Sequence, residues 1–302
     1  MVLLVKTYFL FPQATLKGSN ALLLLYTLTP SILFYQSYIL REASQSLCLL
    51  CIVYVSLYFV FRGFSISWLI AFVLSFFCGI LLHSAMVIII FTVTSIGLYV
   101  LLSANLNKGL TVSASSIVFS SLLLSSAFAI LIILNVSVSS RFNSFDNVDD
   151  FLLASDSYLG SSIIDGAEGR AQYGKIFSFD NPLSIIPNFL VYMLAPIGLS
   201  FNPQDLLLGA ENFIELTFFI SYLNRRRYLS HASRNLLDKL ILVWLFVNFI
   251  WSFGTTNWGT ASRHQTIAYS FLLIPFVLTR TASRLSPKST SKIGAALDRG
   301  SV

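Results

Sequence analysis

A chain of 302 residues that is 56% hydrophobic, 11% charged and +0.78 in mean hydropathy lies far outside the composition of soluble globular domains. It predicts a polytopic membrane protein, all-α in class and forming one membrane domain over 1–302. The formal charge of +6 comes from Lys and Arg spread through short connections. Nucleic acid would require basic patches interleaved with exposed aromatics, so no nucleic-acid partner is expected.

The opening MVLLVKTYFLFP is interrupted by Lys6 and Pro12 and offers no small-residue cleavage site, which predicts no cleavable signal peptide. A helix crossing ~30 Å of hydrocarbon needs about 20 apolar residues. Windows of that kind predict eight spans, near 20–40, 44–61, 64–82, 84–104, 110–134, 206–223, 240–256 and 265–280. Five of them fall within 20–134 and three within 206–280. His83 and Ser84 supply the polar break in the apolar stretch 64–104, which predicts a hairpin there. Cys48, Cys51 and Cys78 all lie in apolar runs and read as packed or lipid-facing thiols.

Between 135 and 181 the composition turns polar, with Asp146, Asp149, Asp150, Asp156, Asp165, Glu168 and Asp180 against Arg141, Arg170 and Lys175. This predicts an extracytoplasmic acidic loop, long enough to carry function. The next segment, PLSIIPNFLVYMLAPIGLSFNP (182–203), is apolar but holds Pro182, Pro187, Pro196 and Pro203. Counting it as a span would reverse the sidedness of everything before it. Read as re-entrant or interfacial, it leaves Arg41, Arg141, Arg170, Lys175 and Arg263 on one side and the other fourteen of the nineteen Lys and Arg on the opposite side. Basic residues favour the cytoplasm. That asymmetry predicts both termini cytoplasmic, a basic cytoplasmic tail over 281–302, and an outward re-entrant element of the kind that lines a cavity.

This topology gathers Arg41, His83, the acidic loop, Asp205, Arg263 and His264 on the outer face. Guanidinium groups bind phosphate oxygens in bidentate fashion, so an anion site is expected there, and lipid-linked diphosphate sugars present such an anion at a membrane surface. Three stretches carry a resemblance: PSILFYQSYILREASQSL (30–47), CGILLHSAMVIII (78–90) and NWGTASRHQTIAYSFLLIPF (257–276). Together they resemble segments of the Wzy/EpsG-type bacterial polysaccharide polymerases and allied O-antigen-ligase-like membrane proteins, of which this chain would be an N-terminally short member.

The resemblance implies transfer of an oligosaccharide from a polyprenyl diphosphate to a glycan hydroxyl, for capsule, exopolysaccharide or O-antigen, at the bacterial inner membrane. It implies polyprenyl-diphosphate-linked oligosaccharide as substrate, and a chain-length regulator or other polysaccharide-assembly proteins as partners. Fixed cations near the leaving diphosphate would stabilise its developing charge, a role that falls to Arg41 and Arg263, with Arg170 as a lid residue. A base working near neutral pH would take the acceptor proton, a role for His264 or His83. Glu211 and Glu215, one turn apart on a span, either hold an arginine or orient the glycan. Tyr173 and Trp258 either stack on sugar rings or belong to the interfacial aromatic belt. The chain has no Asp-x-Asp, and Asp149–Asp150 reads as a solvated acidic run, so no metal and no cofactor are expected. The rival readings are a flippase or transporter of lipid-linked glycan and a non-catalytic assembly subunit.

Overall fold

A computed structural model describes residues 1–37, 41–82, 84–105, 185–194, 203–253 and 258–285, and all regular structure in them is helical. The helices are α1 (Val2–Tyr8), α2 (Leu16–Leu28), α3 (Pro30–Ser37), α4 (Arg41–Arg62), α5 (Ile66–Leu82), α6 (Ser84–Asn105), α7 (Ile185–Leu194), α8 (Pro203–Arg225), α9 (His231–Phe253) and α10 (Trp258–Leu285). A short 3-10 turn, Arg226–Tyr228, follows α8. Four stretches among the described residues are long and apolar enough to cross a membrane: Arg41–Arg62, Leu206–Tyr228, His231–Ser252 and Ala261–Leu285. The apolar helix Ile66–Leu82 is shorter. This is the architecture of a helical membrane protein.

Most helix ends follow from local chemistry. The Thr15 hydroxyl caps α2 by accepting the Gly18 N–H at 3.1 Å. Pro203 opens α8 at the first helical position, where its missing N–H leaves no bond unmade. Gly63, at φ 85°, takes the left-handed conformation just after α4. The predicted span 20–40 is two helices instead of one. Thr29 is extended (φ −66°, ψ 118°), as the residue before a proline prefers, and Pro30 starts α3 on a new axis. The proposed span 110–134, the acidic loop 135–181, the tail 286–302 and His83 lie outside the described residues. Of the Pro-rich segment 182–203, residues 185–194 form α7.

Helix α10 is the centre of the bundle. It packs against α1, α2, α3, α4, α8 and α9, and its residues Ile267 to Leu278 are buried throughout. Pro275 is accommodated inside it, and Thr279 Oγ1 donates to the Pro275 carbonyl at 2.9 Å. By contrast α5 turns Ile70, Leu74, Phe77 and Leu81 outward. Such a face suits lipid.

Cross-helix contacts fix the direction of the helices. Glu42 meets Arg263 and Glu211 meets Ser31, which in turn meets Ser262, so α4, α8 and α10 all start at the same end. Helix α9 runs the other way, since Trp251 near its finish stacks on His264 near the start of α10. At the opposite end Gln13 bonds Ser233 at 3.0 Å, Gly18 faces Thr281, and Lys6 sits over the Trp68 ring. Arg62, Arg225, Arg226, Arg227, Arg234, Arg280 and Arg284 belong to that second end. The described charges are thus segregated: a basic end, and a mixed end holding Arg41, Glu42, Glu211 and Arg263.

Candidate functional site

The mixed end is built from the N-terminal parts of α3, α4, α8 and α10. Arg263 Nη2 donates to Glu42 Oε1 at 2.5 Å, and the carboxylate side chain is 2% exposed against 36% for the guanidinium. Glu42 lies in the first turn of α4, where the positive end of the helix dipole favours an anion. The strong field is therefore a closed ion pair between α4 and α10, with its basic member at the accessible edge.

A second polar contact lies alongside. Ser31, in the first turn of α3, donates its backbone N–H to Glu211 Oε1 at 3.3 Å and its hydroxyl to Glu211 Oε2 at 2.5 Å. The Ser31 hydroxyl also touches the Ser262 hydroxyl, linking α3, α8 and α10 through one oxygen chain. Glu215, one turn further along α8, is 4% exposed, and Glu211 is 7% exposed. At 1.5 Å per residue Glu215 lies ~18 Å from the start of a helix about 34 Å long, close to its middle. Tyr269 of α10 is buried as well.

His264 is buried and stacks on Trp251, with centroids 3.8 Å apart and planes at 19°. Gln265 Nε2 donates to the Tyr192 carbonyl of α7 at 3.0 Å, which ties the Pro-rich segment to the start of α10. Hence α7 borders the mixed end.

Of the residues singled out from sequence, Arg263, His264 and Glu211 come together here. Arg41, the first residue of α4, is exposed and sits one position from Glu42. Trp258 opens α10. His83, Arg170 and Tyr173 lie outside the described residues. Glu211 is engaged by Ser31, and the arginine goes to Glu42 instead. Glu42, Gln45, Ser31 and Ser262 were not anticipated. The available signal was an acid at the head of an apolar run, with Gln45 and Ser46 as its helical neighbours in place of a base. Cys48 and Cys51 are buried thiols in α4, and Cys78 is exposed on α5.

The architecture and the mixed end define the class: a helical membrane protein with buried acids and a buried histidine at one end of its bundle, paired there with a partly exposed arginine. No family model, curated protein or solved structure matches the chain.

Proposed function

We propose that this chain is an integral membrane protein of cell-surface polysaccharide biosynthesis, transferring or polymerising polyprenyl-diphosphate-linked oligosaccharide units without a metal. In this reading the chain has eight spans, the 135–181 loop is extracytoplasmic and the 182–203 segment is re-entrant. It sits in a bacterial inner membrane with both termini cytoplasmic, and works beside a chain-length regulator or other assembly proteins. The observation that carries the reading is that Arg263, His264, Glu42 and Glu211, from three helices, meet at the end of the bundle opposite the basic residues.

The chemistry asks for little. The acceptor oxygen forms a bond to the anomeric carbon while the bond from that carbon to the diphosphate oxygen breaks. The acceptor proton passes to the His264 imidazole, and the departing diphosphate keeps the bonding electrons. Arg41, exposed at the head of α4, is the cation that meets those phosphate oxygens. His264→Phe preserves a flat ring against Trp251 while removing the base. In cells relying on this chain, that variant and His83→Ala should accumulate at wild-type levels, and His264→Phe should give only short glycans. Full-length glycans in both variants would end the assignment.

One observation favours a second reading. Glu211 and Glu215 lie buried along one helix face, the placement seen for ion- or proton-linked transport of a lipid-linked glycan. A flippase would leave undecorated repeat units on the cytoplasmic leaflet when deleted, whereas loss of a polymerase leaves single repeats outside.

A further inference from the structure

At the basic end Asp238 is the one acid among the described residues, and the Tyr222 hydroxyl and the Arg226 guanidinium both engage it. Lys17, Arg227, Arg280 and Arg284 stand exposed there with no described carboxylate left to meet them. The bundle gathers these four cations. Phe276 of α10 stacks on Phe218 of α8 with centroids 4.2 Å apart, which sets the register of the two parallel helices. Arg280 and Arg284 follow Phe276 one and two turns further on, along the side of α10 that faces α8. The 3-10 turn Arg226–Tyr228, which carries α8 onward, packs against α10. Gly18 lies against Thr281, which brings the start of α2, with Lys17, beside the same stretch.

Sidedness alone does not call for this crowding. Sorting a chain across a membrane depends on how many Lys and Arg lie on each side, and scattered residues would serve as well. Like charges one turn apart on a helix oppose each other, so Arg280 and Arg284 gain from an anion between them. Guanidinium groups bind phosphate oxygens in bidentate fashion. The neighbouring apolar surface says which phosphate. Phe213 and Ile220 are exposed on α8 and, with Asn224, recur at helical spacing along one face that leads to Arg227. Leu223 and Leu285 are exposed at the same end. The Arg227 guanidinium lies over the Tyr228 ring, 5.2 Å from its centroid, and donates to the Tyr228 hydroxyl at 3.2 Å. Tyrosine in such a place belongs at headgroup level. A free phosphate has no use for the apolar face of α8, whereas a phospholipid has chains to lay along it.

We infer that the ends of α8 and α10, with Lys17, form a binding surface for the anionic headgroup of a phospholipid in the leaflet at the basic end. The acyl chains of that lipid run along the outer face of α8, and Arg227, Arg280 and Arg284 hold its phosphate. This surface lies at the opposite end of the bundle from Arg263 and His264 and does not depend on the glycan-transfer reading.

The test uses the full chain purified in dodecyl maltoside, with thermal unfolding followed by tryptophan fluorescence. Phosphatidylglycerol, phosphatidylcholine with the same acyl chains, and glycerol phosphate are titrated separately. Phosphatidylglycerol should raise the midpoint above the phosphatidylcholine value, and glycerol phosphate at the same concentration should leave it unmoved. With Arg280→Gln and Arg284→Gln together, apparent phosphatidylglycerol affinity should fall about 25-fold, about fivefold for each cation removed from a headgroup. Arg227→Gln alone should lose about fivefold, and it serves if the double variant does not fold. Arg62→Gln removes the same charge from the end of α4 and should keep the wild-type affinity. Equal midpoints in the two lipids, or equal losses in Arg62→Gln and Arg227→Gln, overturn the surface and leave these cations to sidedness alone. A shift with glycerol phosphate that the double variant abolishes overturns it in favour of a free-anion site.

Discussion

Replacing Arg263 with Gln should cost the fold more than replacing Glu42 with Gln, although the two residues make one bond. The asymmetry comes from burial. Without Arg263, a carboxylate with 2% exposure is left with no counter-charge among the described residues. Breaking a buried pair in that way costs about 3–5 kcal/mol. Without Glu42, a guanidinium that is 36% exposed turns to water and headgroups. That loss is nearer the value of a surface pair, about 0.2–1 kcal/mol. With each kcal/mol worth about 2–3 °C in a chain of this size, Arg263→Gln should lower the midpoint by roughly 6–15 °C and Glu42→Gln by no more than about 3 °C. The double variant places two amides face to face and removes both charges, so its cost should fall short of the sum by about 1–3 kcal/mol. Thermal unfolding of the four proteins in one detergent measures the cycle. Equal costs for the single variants, or an additive double, would refute the claim that a buried ion pair joins α4 to α10.

Other consequences can be checked alongside. Tyr222, fully buried, donates to Asp238 Oδ1 at 2.6 Å, and Arg226 pairs with the same oxygen at 2.9 Å. Asp238→Asn should therefore lower the unfolding free energy by about 1–2 kcal/mol, and Arg226→Gln by less, because Arg226 is largely exposed. At Gly18 an added methyl would run into the Tyr8 hydroxyl, which itself accepts the Thr15 N–H at 3.2 Å. Gly18→Ala should destabilise by about 1–3 kcal/mol despite the better helix propensity of alanine, and Tyr8→Phe should recover part of that loss. With Cys48, Cys51 and Cys78 replaced, a Ser157→Cys variant should react with an impermeant thiol reagent added to intact cells. Labelling only after permeabilisation would reverse the proposed sidedness.

The membrane architecture was legible because hydrocarbon imposes a length and a composition on any helix that crosses it. The runs over 44–61, 64–82, 84–104 and 206–223 correspond closely to α4, α5, α6 and α8. Two helices extend well beyond their apolar windows. Helix α9 starts at His231 and α10 at Trp258, because the hydrogen-bonded ladder continues into polar residues wherever neighbours satisfy them. Hydropathy senses lipid contact and says nothing about such extensions. The break at Thr29 and Pro30 was visible in principle, since proline constrains the residue before it, but an averaging window passes over a single residue.

The site was half legible for a related reason. Cations in an apolar chain stand out, so Arg263 and His264 drew notice as a pair of neighbours. What each does depends on partners 221 positions away for Arg263 and on an aromatic across the α9–α10 interface for His264. Periodicity relates residues within one helix; it cannot say which faces of two helices meet. Glu42 illustrates the limit. Beside Arg41 in sequence it looks like a local counter-charge, yet successive positions on a helix point about 100° apart and do not face each other. Arg41 accordingly stays at the surface while Glu42 turns inward to Arg263. The same rotation gives an adjacent Arg and Glu at a helix start opposite surroundings: Arg41 is exposed, and Glu42 is buried against the Arg263 guanidinium. An anion site read from cations alone would have assigned both arginines the same work, and the bundle gives them different surroundings.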